Sequence, residues 1–157
     1  MVVKGYNQRP GIDFGETFSP VVKPVTIHVV LTLAVTHSWP LVQLDVNNTF
    51  LYGILEEHVF MKQPPGFTYP AKQHHVCKLV KALYGLKQAP RAWYQALRSF
   101  TLKFGFWQSQ SDHSLFIYRQ GTTCCYFLVY VDDLIVTGNN SSFIKRFIQA
   151  PLEPSSH

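Results

Sequence analysis

Residues 124–138, CCYFLVYVDDLIVTG, form an apolar run broken by two adjacent carboxylates, Asp132 and Asp133. The flanking segments, Cys124 to Val131 and Leu134 to Thr137, have the β-branched and aromatic composition of strands, which puts the acids at the tip of a tight hairpin. Unpaired carboxylates buried inside a strand carry a large desolvation cost. At a tip they stay partly solvated and bring their negative charge to one point. Taken alone, this stretch also fits an ordinary acidic turn.

Working outward, Asp45 has the same character, set between apolar neighbours in LVQLDV (41–46). The chain has only nine acids, and three of them lie in strand-like apolar runs. If those strands are neighbours, Asp45 and Asp132 sit side by side, and like charges so close raise each other's pKa unless a divalent cation intervenes. A few oxygen ligands with positions left for water and phosphate suit Mg²⁺. Two such ions about 3.5–4 Å apart clamp the attacking and leaving oxygens of a phosphoryl transfer. A glycosidase-type acid pair is the rival, but no acid/base asymmetry is visible.

The remaining sequence frames this cluster as a single α+β unit with antiparallel strands. The 157 residues fit one domain of roughly 100–200 residues, and 46% apolar with 15% charged composition excludes disorder. Val2 to Lys4 reads as a strand end and Pro10 to Gly15 as a loop. Ile27, Val30, Leu31, Ala34, Val35 and Ser38 give a helical stripe. Leu41 to Val46 is a strand, followed by a helical turn from Asn48 to Gly53. Val59 to Lys62 and Val76 to Val80 are further strands. A helix from Pro90 carries Trp93, Leu97, Phe100 and Phe104 and is capped by Gly105. Leu115 to Tyr118 pairs with Cys124 to Val131 around Gln120-Gly121.

The net charge of +5 allows a polyanionic partner. Cys77, Cys124 and Cys125 form no disulfide framework or CxxC motif and read as reduced, buried thiols. Seven histidines without ligand spacing argue against zinc. No apolar run reaches bilayer length and no leader follows Met1, so no membrane partner and an intracellular location are expected.

LDVNNTFLYG (44–53), YGLKQAPRAWY (84–94), SQSDHSLFI (109–117) and YVDDLIVTG (130–138), preceded by GIDFGETFSPV (11–21), resemble in this order the reverse transcriptase of copia-type LTR retrotransposons. YVDD alone is a weak signal, whereas several long blocks in register are specific. The resemblance implies a right-hand polymerase: fingers and palm over residues 1–140, with an antiparallel sheet backed by helices. It implies RNA-directed DNA polymerase chemistry on an RNA or DNA template with primer, using deoxynucleoside triphosphates and Mg²⁺, with Mn²⁺ as an alternative ion. Asp45, Asp132 and Asp133 match the metal-binding carboxylates. Phe50 matches the bulky residue that rejects a 2′-hydroxyl. Gln88 matches the glutamine that contacts the incoming nucleotide. The backbone at Asn48 and Thr49, and Lys4, are implied on the triphosphate side. Tyr130 and Val131 would flank the primer end, and Lys87 and Arg91 would contact phosphates. Trp93 and Phe100, on the apolar stripe, read as core.

The chain departs from the family pattern at Gly15, Asn47 and Thr49, none of them a metal ligand. Residues 141–157 are expected to be a divergent or truncated tail with at most two helical turns, ending before the thumb and leaving apolar surface open. On that basis the isolated chain is expected to bind nucleic acid weakly and not to extend a primer. The other readings are a non-catalytic retrotransposon relic, or a basic nucleic-acid-binding module whose binding survives loss of Asp45 and Asp132.

Overall fold

The computed structural model describes residues 2–152. Its element mix is the α+β arrangement with antiparallel strands that the sequence predicts. One sheet has five strands in the order β1 (Leu41–Asp45), β7 (Asp133–Gly138), β6 (Thr123–Tyr130), β5 (Leu115–Gln120) and β4 (Trp107–Gln108). Each neighbouring pair is antiparallel. β2 (Ile54–Lys62) and β3 (Val76–Lys81) form a separate ribbon. The helices are α1 (Pro24–Thr36), α2 (Ala89–Phe104) and α3 (Ser141–Gln149).

The unbroken apolar run of β6 follows from its place inside the sheet. Cys125, Phe127 and Val129 pack with Trp93 and Leu97 of α2 and with Phe143, Ile144 and Phe147 of α3. Leu128, of opposite parity, joins a second cluster with Val22 and Val30, against which Ile27 of α1 packs. A strand covered on both faces has no polar side to show. Cys125 is fully buried, and burial pushes its thiol up to about 12. Cys77 and Cys124 are half-buried free thiols.

Helix ends obey local chemistry. Gly105, with φ of +110°, ends α2. Its N–H donates to the Leu102 carbonyl and that of Phe106 to Thr101, which uses two otherwise orphaned carbonyls. The Asn140 side chain caps α3 by accepting from the Phe143 N–H at 2.9 Å.

The start of α1 has no local side-chain cap. Asp112, from the SQSDHSLFI block, supplies one from a distance. Its carboxylate accepts from the Lys23 N–H at 2.8 Å, the Thr26 hydroxyl at 2.7 Å and the Ser114 N–H at 2.9 Å. Burial raises the Asp112 pKa, but these donors outweigh it and hold the carboxyl below its ordinary value. The folded state therefore binds this proton less readily than the unfolded chain. The stabilisation is present above the unfolded carboxyl pKa of about 3.9 and is lost as pH falls through the lower folded value. An Asp112→Asn chain is expected to lose about 1.5–3 kcal/mol at pH 7, the range for hydrogen bonds to a charged group. The deficit should shrink toward pH 3. Urea unfolding at both pH values checks this, and an equal deficit at both would exclude the carboxylate charge as its source.

Several expectations need correction. Val2 to Lys4 is not a strand: Val3 donates one hydrogen bond to the Tyr84 carbonyl, and the chain then turns through a single 3-10 segment, Gly5–Asn7. A Cβ on Gly5 would lie 1.7 Å from the Gly85 carbonyl oxygen, so close packing on the 84–88 loop dictates the local path. α1 stops at Thr36, and Ser38 has φ of +53°. Of the predicted stripe, Val30 and Ala34 are buried while Val35 is 80% exposed. β2 begins at Ile54, five residues before the expected Val59. α3 has nine residues, beyond the expected two turns, and Phe143, Ile144 and Phe147 are buried in the core. The rest of the expected tail, residues 153–157, lies outside the described residues.

Candidate active site

The β6–β7 hairpin closes on a two-residue turn, Val131-Asp132, between the last paired residues Tyr130 and Asp133. Val131 has φ of +53°. A β-branched residue there is unusual and costs of order 1–3 kcal/mol, so surrounding contacts must hold it. One such contact is explicit: the indole Nε1–H of Trp93, on α2, donates to the Val131 carbonyl at 2.6 Å.

β1 lies beside this hairpin, and its register pairs Leu44 with Leu134 and Asp45 with Asp133. Asp45 and Asp133 are therefore directly opposed at the strand ends, and Asp132 is the adjoining turn residue. Asp45 and Asp133 are exposed and Asp132 is half-buried. The Gln43 amide donates to Asp133 Oδ1 over a long 3.4 Å. The ion pairs among the described residues, Arg9–Asp13 and Arg91–Glu57, lie elsewhere. Opposed like charges weaken a strand pair, and among the described residues no ion pair offsets the negative charge of this sheet end.

The donor chemistry fits a hard divalent cation, which takes carboxylate, water and phosphate oxygens. Among the described residues no three His, Cys, Asp or Glu side chains stand as a ready-made cage. That arrangement still suits Mg²⁺, which uses one or two carboxylates together with substrate phosphates and water.

The other predicted residues lie on the elements around this edge. Asn48 has φ of +56° and precedes the 3-10 turn Thr49–Tyr52. Thr49 is fully buried, with its hydroxyl donating to the Val46 carbonyl, so its side chain is committed internally. Phe50 is half-buried, its ring centroid 4.5 Å from that of Tyr84. Tyr130 is half exposed beside the turn. Lys87 is exposed. Lys4 is exposed too and lines a cleft of about 760 Å³ with Val59, Met61 and Leu86.

Two residues are placed differently from the simple reading of their motif. Gln88, at the start of α2, is fully buried. Its Oε1 accepts from the Gln8 amide at 3.0 Å, and its own amide donates to the Asp13 carbonyl at 3.3 Å. Gln8 Oε1 also accepts from the Lys87 N–H. The N-terminal segment thus lies over the glutamine. Arg91 is not a free surface cation: its guanidinium donates to Glu57 Oε1 at 2.6 Å, with both side chains mostly buried.

Gln8, Glu57 and the indole donor of Trp93 are absent from the sequence-level site. Glu57 had a signal, because residues 58–111 contain no Asp or Glu and hold eight of the fourteen Lys and Arg. Trp93 had one as well, since a buried indole N–H needs an acceptor. Gln8 had none. Trp93 is 1% exposed, in keeping with its reading as core. Among the described residues no helix is long and apolar enough to cross a membrane.

The profile of the family described as "Reverse transcriptase (RNA-dependent DNA polymerase)" matches residues 1–152. The chain is 55% identical over 150 residues to the retrovirus-related Pol polyprotein from transposon RE2 of Arabidopsis thaliana, covering 96% of this chain and 10% of that protein. It is 57% identical over 146 residues to the corresponding polyprotein from transposon RE1 of the same plant, covering 93% of this chain and 10% of that one. Against the Pol polyprotein from transposon TNT 1-94 of Nicotiana tabacum it is 44% identical over 147 residues, covering 93% and 11%. The chain thus spans about a tenth of the length of these curated relatives. No solved structure matches it at a significant level.

Proposed function

The chain belongs to the reverse transcriptase (RNA-dependent DNA polymerase) family of copia-type retrotransposon Pol polyproteins, and on that premise we propose that it is fingers and palm carrying the nucleotidyl-transfer site. The observation that carries the proposal is the Asp45–Asp133 register pair with Asp132 in the adjoining turn, none of them in an ion pair among the described residues. Reverse transcriptases generally use divalent metal ions. Asp45 and Asp132 would hold them and Asp133 would fix position and charge; the bound ions supply Lewis-acid stabilisation of the charge that develops on the transferring phosphate.

In this reading the primer 3′-hydroxyl gives its proton to solvent and its oxygen bonds to the α-phosphorus of a deoxynucleoside triphosphate. The bond from that phosphorus to the oxygen bridging toward the β-phosphate breaks, and pyrophosphate leaves with the electron pair. Phe50, on the turn after β1, limits space at the sugar's 2′ position. Asn48 and Thr49 offer backbone N–H groups on the triphosphate side, and Lys4 and Lys87 offer exposed cations. Tyr130 and Val131 flank the primer end. Gln88 reaches a nucleotide only after exchanging its bonds to Gln8 and Asp13. Arg91 acts by holding the start of α2 against β2 through Glu57.

A second reading is favoured by the acid-free segment 58–111, whose cations suit salt-sensitive phosphate contacts without metal chemistry. Single-nucleotide incorporation on a primer annealed to RNA, by the chain fused to the remaining segments of a copia-type polymerase, separates the two. The polymerase reading expects Mg²⁺-dependent addition of the complementary deoxynucleotide alone. Nucleic-acid binding without any addition, undiminished in an Asp45→Asn, Asp132→Asn chain, would favour the basic module instead.

A further inference from the structure

We propose that the Trp93 indole N–H is a positioning group for the carboxylate hairpin, a role that rests on the metal-binding reading of Asp45 and Asp132. Three observations combine. The turn has only two residues, and strand pairing ends at Tyr130–Asp133, so the ladder does not fix the peptide between them. Val131 occupies a left-handed conformation that its branched side chain disfavours. Among the described residues, the one side-chain hydrogen bond to the turn comes from an indole that is 1% exposed and whose ring lies 5.9 Å from that of Tyr52, so the donor is held in the core.

The accepting atom gives this bond its leverage. The Val131 carbonyl belongs to the planar peptide unit that ends at the Asp132 Cα. Fixing that oxygen at 2.6 Å from Nε1 orients the plane from which the Asp132 side chain departs. Trp93 lies on α2, whose N-cap is Gln88, so one rigid helix spans the loop with the expected nucleotide contact and the turn with the carboxylates. A phenylalanine at 93 fills much of the same core but leaves the carbonyl without its donor, and the peptide plane is then free to rotate.

The test removes the donor with the shape retained. Position 93 of the full chain is substituted with β-(3-benzothienyl)alanine, in which sulfur replaces the indole N–H, and Trp93→Phe is made in parallel. Trp107→Phe, half exposed on β4, is the control. Amide hydrogen exchange at residues 131–134 is expected to rise at least about 10-fold in both position-93 chains, with no change at the Gly121-Thr122 turn. Mn²⁺ binding, read by water-proton relaxation, is expected to weaken about 5- to 10-fold in the same chains and not in the control. Unchanged exchange at 131–134 would overturn the proposal and leave Trp93 as packing. Faster exchange with unchanged Mn²⁺ affinity would overturn the positioning of the carboxylates. Wild-type Mn²⁺ binding that ignores Asp132→Asn would instead overturn the metal-binding reading, while the exchange measurement still decides whether Trp93 sets the turn.

Discussion

An Asp132→Asn substitution is expected to lower nucleotide incorporation by on the order of 10³-fold while leaving folding intact. The magnitude follows from what the carboxylate does in the proposed reaction. Loss of one anionic ligand weakens a charge stabilisation worth several kcal/mol, and each 1.36 kcal/mol is tenfold in rate. Folding should not suffer, because Asp132 lies in the turn between the paired residues Tyr130 and Asp133 and has no ion-pair partner among the described residues. The substitution leaves the Asp45–Asp133 and Tyr130–Asp133 strand pairs untouched. Asp45→Asn should act in the same direction, and because Asp45 and Asp132 serve one proposed metal-binding unit the two substitutions should be strongly non-additive. The check is single-turnover incorporation by the chain fused to the remaining segments of a copia-type polymerase, alongside urea unfolding of the 157-residue chain, for the wild type, both single variants and the double variant. Retention of more than a tenth of wild-type incorporation by Asp132→Asn would remove this residue from the metal-binding set.

The parts of the molecule that a linear reading could reach are those where neighbours in sequence set the outcome. The hairpin of β6 and β7 was legible because an apolar run of that composition has few alternatives to a strand, and two acids inside it demand solvent or a cation. α2 was legible from Trp93, Leu97, Phe100 and Phe104 at helical spacing and from Gly105 at its end. That Asp45 lies beside the hairpin end was reachable only through the order of the motifs, since β1 and β7 are separated by most of the chain; the register opposes it to Asp133, where Asp132 was the expected neighbour. What escaped depends on long-range contacts. Val2 to Lys4 has strand composition, yet its path is set by Gly85, about 80 residues away. Arg91 looks like a phosphate ligand until Glu57 is seen across the β2 interface. Asp112 looks like one more turn acid, but it caps a helix that begins at Pro24. For Gln88 the motif was visible and the cover of Gln8 was not.

Phe147→Ala is expected to cost about 3–5 kcal/mol, the range for removing a buried aromatic from a core. That is a large share of the roughly 5–15 kcal/mol that stabilises a domain. Phe147 is 4% exposed and lies within 4.7–5.7 Å, centroid to centroid, of Phe100, Phe104, Phe106 and Phe127. It therefore joins α3 to α2, to the segment before β4 and to central strand β6. Phe143, one helical turn earlier, packs with its ring 4.2 Å from that of Tyr118 on β5. Far from being an appendage, α3 covers the same side of the sheet as α2, behind the strand that leads into the Val131-Asp132 turn. Loosening it should consequently reach the carboxylates: amide exchange along Phe127–Tyr130 should accelerate together with that of α3. Lys145→Ala, exposed on the same helix, should stay within about 0.5 kcal/mol of the wild type, as surface changes usually do. Urea unfolding with residue-resolved exchange distinguishes the cases. A loss below about 1 kcal/mol for Phe147→Ala, with β6 protection unchanged, would mean that the sheet is stable without its third helix.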